Sequence, residues 1–272
     1  MSEILKTGWT WYPSVLIGFS IWTLLYHLAV SRRKSTPVYQ QVAFHAGTLV
    51  GLLALVSPLD EIGDEYLFSA HMIQHLMLIF IVAPLWLLGT PGGMIDMLIS
   101  PSLRGAASRL LSPTVAFSVF VGVLWFWHLP AAYEFTLESE AVHILEHLIF
   151  IGAGLIGWWP VVGAPDAALG KPEAPVRMLY LFLLAIPCTA LAALLTFSTH
   201  PFYPFYESSQ HIFGLSALED QHLGGLIMWL PTHLILLLME GVTFANWFGR
   251  SSTGVELNPG EGAGAAASSV SK

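Results

Sequence analysis

The sequence predicts an all-α integral membrane protein: a seven-transmembrane-helix bundle with its N-terminus outside and its C-terminus in the cytoplasm. Of its 272 residues, 55% are hydrophobic and only 10% are charged, and seven apolar stretches recur along the chain. A soluble domain carries about 25% charged residues, and a membrane-spanning helix needs about 20 mostly apolar ones. We expect one membrane domain over 1–250 and a disordered cytoplasmic tail, rich in Gly, Ala and Ser, over 251–272.

The predicted spans differ in length, and the fourth is the shortest. They cover residues 11–30, 38–57, 67–88, 113–129, 141–162, 176–198 and 221–241. The fourth ends in three aromatic residues, 125–127, which are typical of the membrane–water interface. Pro84, Pro187 and Pro231 fall inside the third, sixth and seventh spans, where we expect each to bend its helix.

The basic residues determine the predicted orientation. Nine of the ten fall in segments that share one side of the membrane, and only Lys6 falls on the other. The nine are Arg32, Arg33, Lys34, Arg104, Arg109, Lys171, Arg177, Arg250 and Lys272. Because cytoplasmic loops carry an excess of Lys and Arg, that side is assigned to the cytoplasm.

Eleven histidines are many for so apolar a chain, and four of them form two matched pairs. His71 and His75 begin the third span, His143 and His147 begin the fifth, and both segments read His-x-x-x-His-Leu. Residues four apart lie on one face of a helix. Both spans enter from the outside, so the pairs should lie at the same depth. Four imidazoles in one place suit copper, zinc or iron.

Polar residues around the pairs complete the predicted metal site near the outer face. His128, at the end of the fourth span, and His222, at the start of the seventh, are candidate ligands. Four more residues are predicted to orient the ligands without binding the metal themselves: Glu146, Gln74, Asp220 and Asp60. Glu146 lies between the two histidines of its pair, so it could instead bind the metal directly or carry a proton.

The other histidines have simpler interpretations. A single histidine within a span commonly forms a hydrogen bond between helices. This interpretation fits His27, His45 and His233. His200 and His211 fall between the sixth and seventh spans and are interpreted as ordinary loop residues.

The composition excludes several classes of protein. The single cysteine, Cys188, excludes an internal disulfide and any multi-cysteine zinc or iron–sulfur site. None of the four lysines lies in a predicted span, which excludes a retinal Schiff base. No nucleophile–base pair or nucleotide-binding loop is apparent, so we expect neither an enzyme nor a nucleic-acid partner. The polar N-terminus gives no sign of a cleavable signal.

An ordered set of short motifs resembles a known family. The motifs are Ser57-Pro58-Leu59-Asp60, His71-Met72-x-x-His75, Trp127-His128-Leu129-Pro130, His143-x-x-x-His147 and Asp220-Gln221-x-Leu223-Gly224-Gly225-x-x-Met228-Trp229. Together they resemble the CtaG-type cytochrome c oxidase assembly proteins of bacteria. The resemblance implies a plasma-membrane protein that helps to mature a haem–copper oxidase by handling copper, with oxidase subunits or copper chaperones as partners. It also implies Gln where this chain has His222.

Two other functions fit the same residues. One histidine from each of two facing helices could hold haem b, which would make the chain a membrane redox protein. Alternatively His45, His233 and Glu240, which lie deeper towards the cytoplasm, could continue a path for copper or protons, as in a transporter. A Soret band in the purified protein would distinguish haem from a bare metal ion.

Overall fold

The computed structural model describes residues 4–163, 169–209 and 213–255, which are helical with short connections and contain no strand. The helices are α1 (Ile4–Thr7), α2 (Pro13–Ser31), α3 (Val38–Val56), α4 (Pro58–Glu65), α5 (Phe68–Leu76), α6 (Ala83–Gly89), α7 (Gly92–Leu98), α8 (Arg104–Leu110), α9 (Pro113–Trp127), α10 (Pro130–Glu138), α11 (Glu140–Trp158), α12 (Ala174–Thr196), α13 (Pro204–Ser208) and α14 (Ala217–Val255). A π-helical segment, Met77–Val82, joins α5 to α6, and a 3-10 turn, Pro101–Leu103, precedes α8.

The described helices include six units that are long and apolar enough to cross a membrane. They are α2, α3, α5 with its continuation through α6, α11, α12 and α14. A seventh candidate is broken, because the segments Pro101–Leu110 and Pro113–Trp127 meet at 69°. Helix α9 has only 15 residues, which is about 22 Å of helix against a hydrocarbon layer of about 30 Å. The all-α, multi-span prediction is confirmed, whereas the number seven and the orientation stay predictions.

The third span changes helix type halfway. Its α-helical start ends at Leu76, the π-helical turns follow, and Pro84 is the second residue of α6. Because proline has no N–H and clashes with the carbonyl four residues before it, the regular ladder cannot pass through this position unchanged. A π segment is one way to absorb such a break, and such segments are frequent next to functional sites. In contrast, Pro187 and Pro231 lie inside the continuous helices α12 and α14.

The third span lies at the centre of the bundle. In its most apolar window 61% of the residues are buried, against 17–39% in the other five candidate spans. Helix α5 packs against α4 and α14, the π segment packs against α3 and α11, and α6 packs against the same two helices. The histidines of α5 therefore lie in the interior.

Glycines bring two neighbours close to this central span. A Cβ added at Gly154 of α11 would lie 2.9 Å from the Cβ of Ala83, and one added at Gly224 of α14 would lie 2.5 Å from the ring of Phe68. A larger residue at either position would force the helices apart, as is typical of small residues between membrane helices. Helix α14 thus approaches α5 closely at Gly224.

Candidate metal site

The structure brings the four paired imidazoles together. The ring centroid of His71 is 5.4 Å from that of His143 and 5.9 Å from that of His147. His75 lies 5.5 Å from His147, again between ring centroids. Helices α5 and α11 therefore present their pairs to each other at the same depth, which is the arrangement that the repeated pattern predicts.

The atoms that could hold one ion come from a slightly different set. One side-chain nitrogen or oxygen from each of four residues lies within 4.8 Å of the others, and these residues are His71, His143, Glu146 and His147. We refer to these four residues as the histidine–glutamate cluster. Glu146, predicted to support the ligands from behind, is here a potential ligand itself. His75 stays outside this set, although its Nε2 lies 3.8 Å from Oε2 of Glu146.

The cluster contains buried polar atoms that make no hydrogen bond within the described residues. They are both ring nitrogens of His71, Nε2 of His143, Nε2 of His147 and both carboxylate oxygens of Glu146. Native proteins leave few buried polar atoms unpaired, since each costs about 1–3 kcal/mol. Several in one place, all of metal-ligating type, form a group that could hold a metal ion.

Asp64 is a site residue that the sequence analysis did not assign. Its Oδ1 lies 3.4 Å from Nδ1 of His71, and its Oδ2 lies 3.2 Å from Nδ1 of His143. A carboxylate that faces Nδ1 of an imidazole favours the ring orientation that directs Nε2 towards a metal. Asp64 thus does for two histidines what the sequence analysis expected from other residues.

Local sequence explains why Asp64 reaches the cluster. The hydroxyl oxygen of Ser57 accepts the N–H of Leu59 at 3.3 Å, and Pro58 follows at the first position of α4, so the short helix has a defined start. Gly63 then lets α4 lie against α5, because an added Cβ there would be 2.9 Å from the backbone nitrogen of His71. The spacing of Asp60 and Asp64, four residues apart on one helix face, was the signal that could have found Asp64.

Gln74 and Asp60, two predicted supporting residues, attach α5 to its neighbours. Nε2 of Gln74 donates to the carbonyl of Ala54 at 2.9 Å and to Oδ1 of Asp60 at 2.5 Å. Asp60 also accepts the hydroxyl of Thr10 at 3.3 Å. Burial, and then the nearby charge of Asp64, raises the pKa of Asp60 to about 7. These contacts fix the rotation of α5, and hence the direction of its histidines.

Asp220, the fourth predicted supporting residue, also acts on α5. Its carboxylate accepts the backbone N–H groups of Phe68 at 2.6 Å and Ser69 at 3.2 Å. A carboxylate at this end of a helix satisfies free N–H groups and complements the helix dipole. Asp220 therefore holds the start of the helix that carries His71.

His222, predicted as a candidate ligand, bonds outside the cluster in this structure. Its Nε2 instead donates to the carbonyl of Ser198 at 2.8 Å, just after the end of α12. Successive residues of a helix point about 100° apart. With Asp220 directed at α5, His222 faces a different neighbour.

His128 lies beside His75 and away from His143. Its ring centroid is 6.5 Å from that of His75. Nδ1 of His128 donates to the carbonyl of Leu124 at 2.7 Å, and its buried Nε2 has no hydrogen-bond partner within the described residues. His75 and His128 thus form a group of their own next to the cluster.

A cavity of about 630 Å³ leads to the cluster. His143, Asp64 and His147 lie on its wall, and the side chains of His143 and Asp64 are 13% and 22% exposed. The polar part of the wall also carries Asp60, Glu65 and Glu140, and the apolar part carries Phe19, Trp22, Leu55, Trp86 and Leu155. The carboxylates on this wall would concentrate cations near the buried cluster.

Four further histidines in the described part of the chain lie away from the cluster. His233 bonds to Thr189 of α12, with Nε2 and Oγ1 2.6 Å apart, which is the hydrogen bond between helices expected of a single histidine. His27 and His45 are exposed on α2 and α3, with ring centroids 5.4 Å apart. His200 and His211, both interpreted as loop residues, are exposed and outside the described residues, respectively.

The fold and site define a helical protein compatible with multiple membrane passes and carrying a buried group of metal-ligating side chains. A sequence model of the cytochrome c oxidase caa3 assembly factor family (Caa3_CtaG) matches residues 23–250. The chain belongs to this family, which confirms the resemblance seen in the motifs.

Curated relatives come from mycobacteria and carry no assigned activity. An uncharacterized protein of Mycobacterium leprae is 23% identical over 229 residues, covering 78% of this chain and 34% of the relative. An uncharacterized protein of Mycobacterium bovis is 24% identical over 234 residues, covering 79% of this chain and 35% of the relative. The chain therefore spans about a third of the length of these relatives. No solved structure matches it.

Proposed function

We propose that this chain binds copper at the histidine–glutamate cluster and carries it as cargo for the assembly of a cytochrome c oxidase. Family membership supports the assembly role. Oxidase subunits or copper chaperones are the proposed partners, and the proposed place is the outer face of the bacterial plasma membrane. The role is carriage and not catalysis.

The observation that carries this proposal is the donor set itself. Three imidazoles and one carboxylate offer ligand atoms within 4.8 Å of one another. Nitrogen and oxygen donors suit Cu(II), which such sites generally bind more tightly than other divalent first-row ions. The carboxylate of Asp64 lies within 3.4 Å of Nδ1 of both His71 and His143. This contact supports metal binding through the Nε2 atoms of the two rings.

The same contacts favour a bare ion over haem. Oε2 of Glu146 lies 3.7 Å from Nε2 of His71 and 3.8 Å from Nε2 of His75. A porphyrin held by one histidine from each helix would have to occupy the space of this carboxylate.

The proposed orientation places the cluster outside. It rests on the asymmetry of nine basic residues against one. Reporter fusions after Arg33 and Lys171 should then report the cytoplasm, and fusions within 59–65 and 131–139 should report the outside. A clear reversal at any of these loops would contradict the orientation.

The proposal is tested by metal analysis of the purified full chain. We expect the parent to hold Cu(II) and His143→Gln to lose most of it, because one of four ligands is gone. His27→Gln is the matched control, since His27 is exposed and lies away from the cluster. Cells with His143→Gln should also yield oxidase deficient in copper. Equal copper in all three proteins would reject the proposal, and a Soret band that vanishes with His143→Gln would favour haem.

A further inference from the structure

A second group of metal-ligating side chains surrounds a small cavity on another face of α5. The cavity measures about 20 Å³. Two imidazoles and three sulfur atoms line it, those of Met72, His75, His128, Cys188 and Met228. A space of about 10–15 Å³ is enough for one water-sized guest, so this one admits a single atom or ion.

Both imidazoles are buried, and each has at least one ring nitrogen without a hydrogen-bond partner within the described residues. His75 and His128 are 4% and 6% exposed. Both ring nitrogens of His75 and Nε2 of His128 make no hydrogen bond within the described residues. The bond from Nδ1 of His128 to the Leu124 carbonyl assigns the proton to Nδ1 and leaves Nε2 as an acceptor or ligand. An unpaired imidazole nitrogen at the wall of an ion-sized cavity indicates a bound cation.

The sulfur atoms define which cation fits. Met72, Cys188 and Met228 come from α5, α12 and α14 and are 1%, 5% and 8% exposed. Methionines and cysteines in a core commonly only pack, but here three of them meet around the same cavity as two unpaired imidazoles. Thioether, thiol and imidazole ligands together select Cu(I) over harder ions. No carboxylate lines the cavity, so a monovalent ion is easier to bury there than a divalent one.

We propose that this cavity is a Cu(I) site, separate from the histidine–glutamate cluster. It rests on the proposed function only for the choice of copper as the metal. The ion binds as Cu(I) and undergoes no redox change. If the Cys188 sulfur ligates it as thiolate, its proton is released on binding.

His75 connects the two sites. It lines the small cavity, and its Nε2 lies 3.8 Å from Oε2 of Glu146 in the cluster. The π segment begins directly after Leu76, one residue beyond His75. His75 is therefore within one side-chain length of both sites, so a copper ion that leaves one site is close to a residue of the other.

X-ray absorption at the copper edge tests the site on the purified full chain loaded anaerobically with one equivalent of Cu(I). We expect sulfur in the first coordination sphere of the parent. We expect the double variant Met72→Leu/Met228→Leu to lose the thioether sulfur, keeping at most the single sulfur of Cys188. It should bind Cu(I) at least about tenfold more weakly in competition with a Cu(I) chelator, which is the smallest loss typical of residues that only orient metal ligands. Leucine conserves the side-chain volume, and Met94→Leu, buried in the other core cluster, is the matched control.

The outcomes separate this inference from the proposed function. Nitrogen and oxygen alone around Cu(I) in the parent overturn the inference, even if Cu(II) binds at the cluster. An equal loss of affinity in Met94→Leu also overturns it, because the effect is then general. Sulfur-bound Cu(I) that persists in His143→Gln supports it, whether or not that variant still binds Cu(II). If the double variant fails to fold, Cys188→Ser and His128→Gln give the same test singly.

Discussion

Helices α5 and α11 carry the same His-x-x-x-His-Leu segment, yet their middle polar residues face different surroundings. Gln74 turns away from the histidines and donates to Ala54 and Asp60. Glu146, at the matching position of α11, lies among the imidazoles, 3.7 Å from Nε2 of His71. A repeated pattern can therefore place two segments at one depth and still assign their residues to different tasks: one helix is anchored, and the other supplies an anionic ligand.

Exchanging the matched middle residues should have the largest effect. Glu146→Gln removes the only carboxylate of the histidine–glutamate cluster. We expect Cu(II) affinity to fall by more than about 100-fold, beyond the 10–100-fold cost of a residue behind the ligands. Competition with a chelator of known affinity measures this.

Gln74→Glu is the reciprocal change. It places a second carboxylate beside Asp60, where the present Gln74 contact is 2.5 Å. We expect loss of thermal stability from like-charge repulsion in a buried place and no gain in copper binding. If Glu146→Gln binds copper within about threefold of the parent, both middle residues are structural and the comparison fails.

Asp64→Asn should have a smaller effect on the same site. The asparagine keeps the size of the side chain but removes the charge that faces Nδ1 of His71 and of His143. We expect Cu(II) affinity to fall about 10–100-fold, as for other residues that orient ligating imidazoles. Glu65→Gln, a neighbouring carboxylate on the wall of the large cavity, is the control. Equal losses in the two variants would mean that only the overall negative charge matters.

Asp60, which bonds to Gln74 of α5, should make the folding stability depend on pH. This is the smallest of the expected effects. Burial raises the pKa of Asp60 from its ordinary value of 3.8 to about 7. The folded chain then holds a proton that the unfolded chain has lost, so stability falls as pH rises from about 4 to 7 and levels off above that. We expect the Tm of metal-free protein to be lower at pH 8 than at pH 5. In Asp60→Asn the difference should shrink. A parent whose Tm is unchanged or rises over this range would contradict the assignment.

Local sequence was sufficient to predict the long apolar helices and the equal depth of the histidine pairs, but not the short helices α4 and α10, which were expected as loops. Helical spacing places His71 with His75 and His143 with His147, and the number of intervening spans makes both helices run in the same direction. Helix type was less predictable. Pro84 interrupts the regular hydrogen-bond ladder, and the position of the π segment that accommodates this interruption depends on packing against α3 and α11.

The division of roles within the site depended on contacts between distant segments. Asp64 reaches the imidazoles only because Gly63 lets α4 lie against α5. His75 lies outside the four-residue cluster although its Nε2 is 3.8 Å from Oε2 of Glu146, and it also lines the small cavity beside His128. His222 matched the residue type of a ligand but bonds to Ser198. Residue type and spacing along the chain do not predict these contacts between distant segments.

Pulsed electron paramagnetic resonance of Cu(II)-loaded protein tests the central claim most directly, because it counts the imidazoles bound to the ion. The cluster contains three histidines, His71, His143 and His147, together with Glu146. We expect three coordinated imidazoles in the parent, two in His147→Gln, and still three in His75→Gln. A drop to two in His75→Gln, with His147→Gln unchanged, would contradict the assignment of the copper ligands.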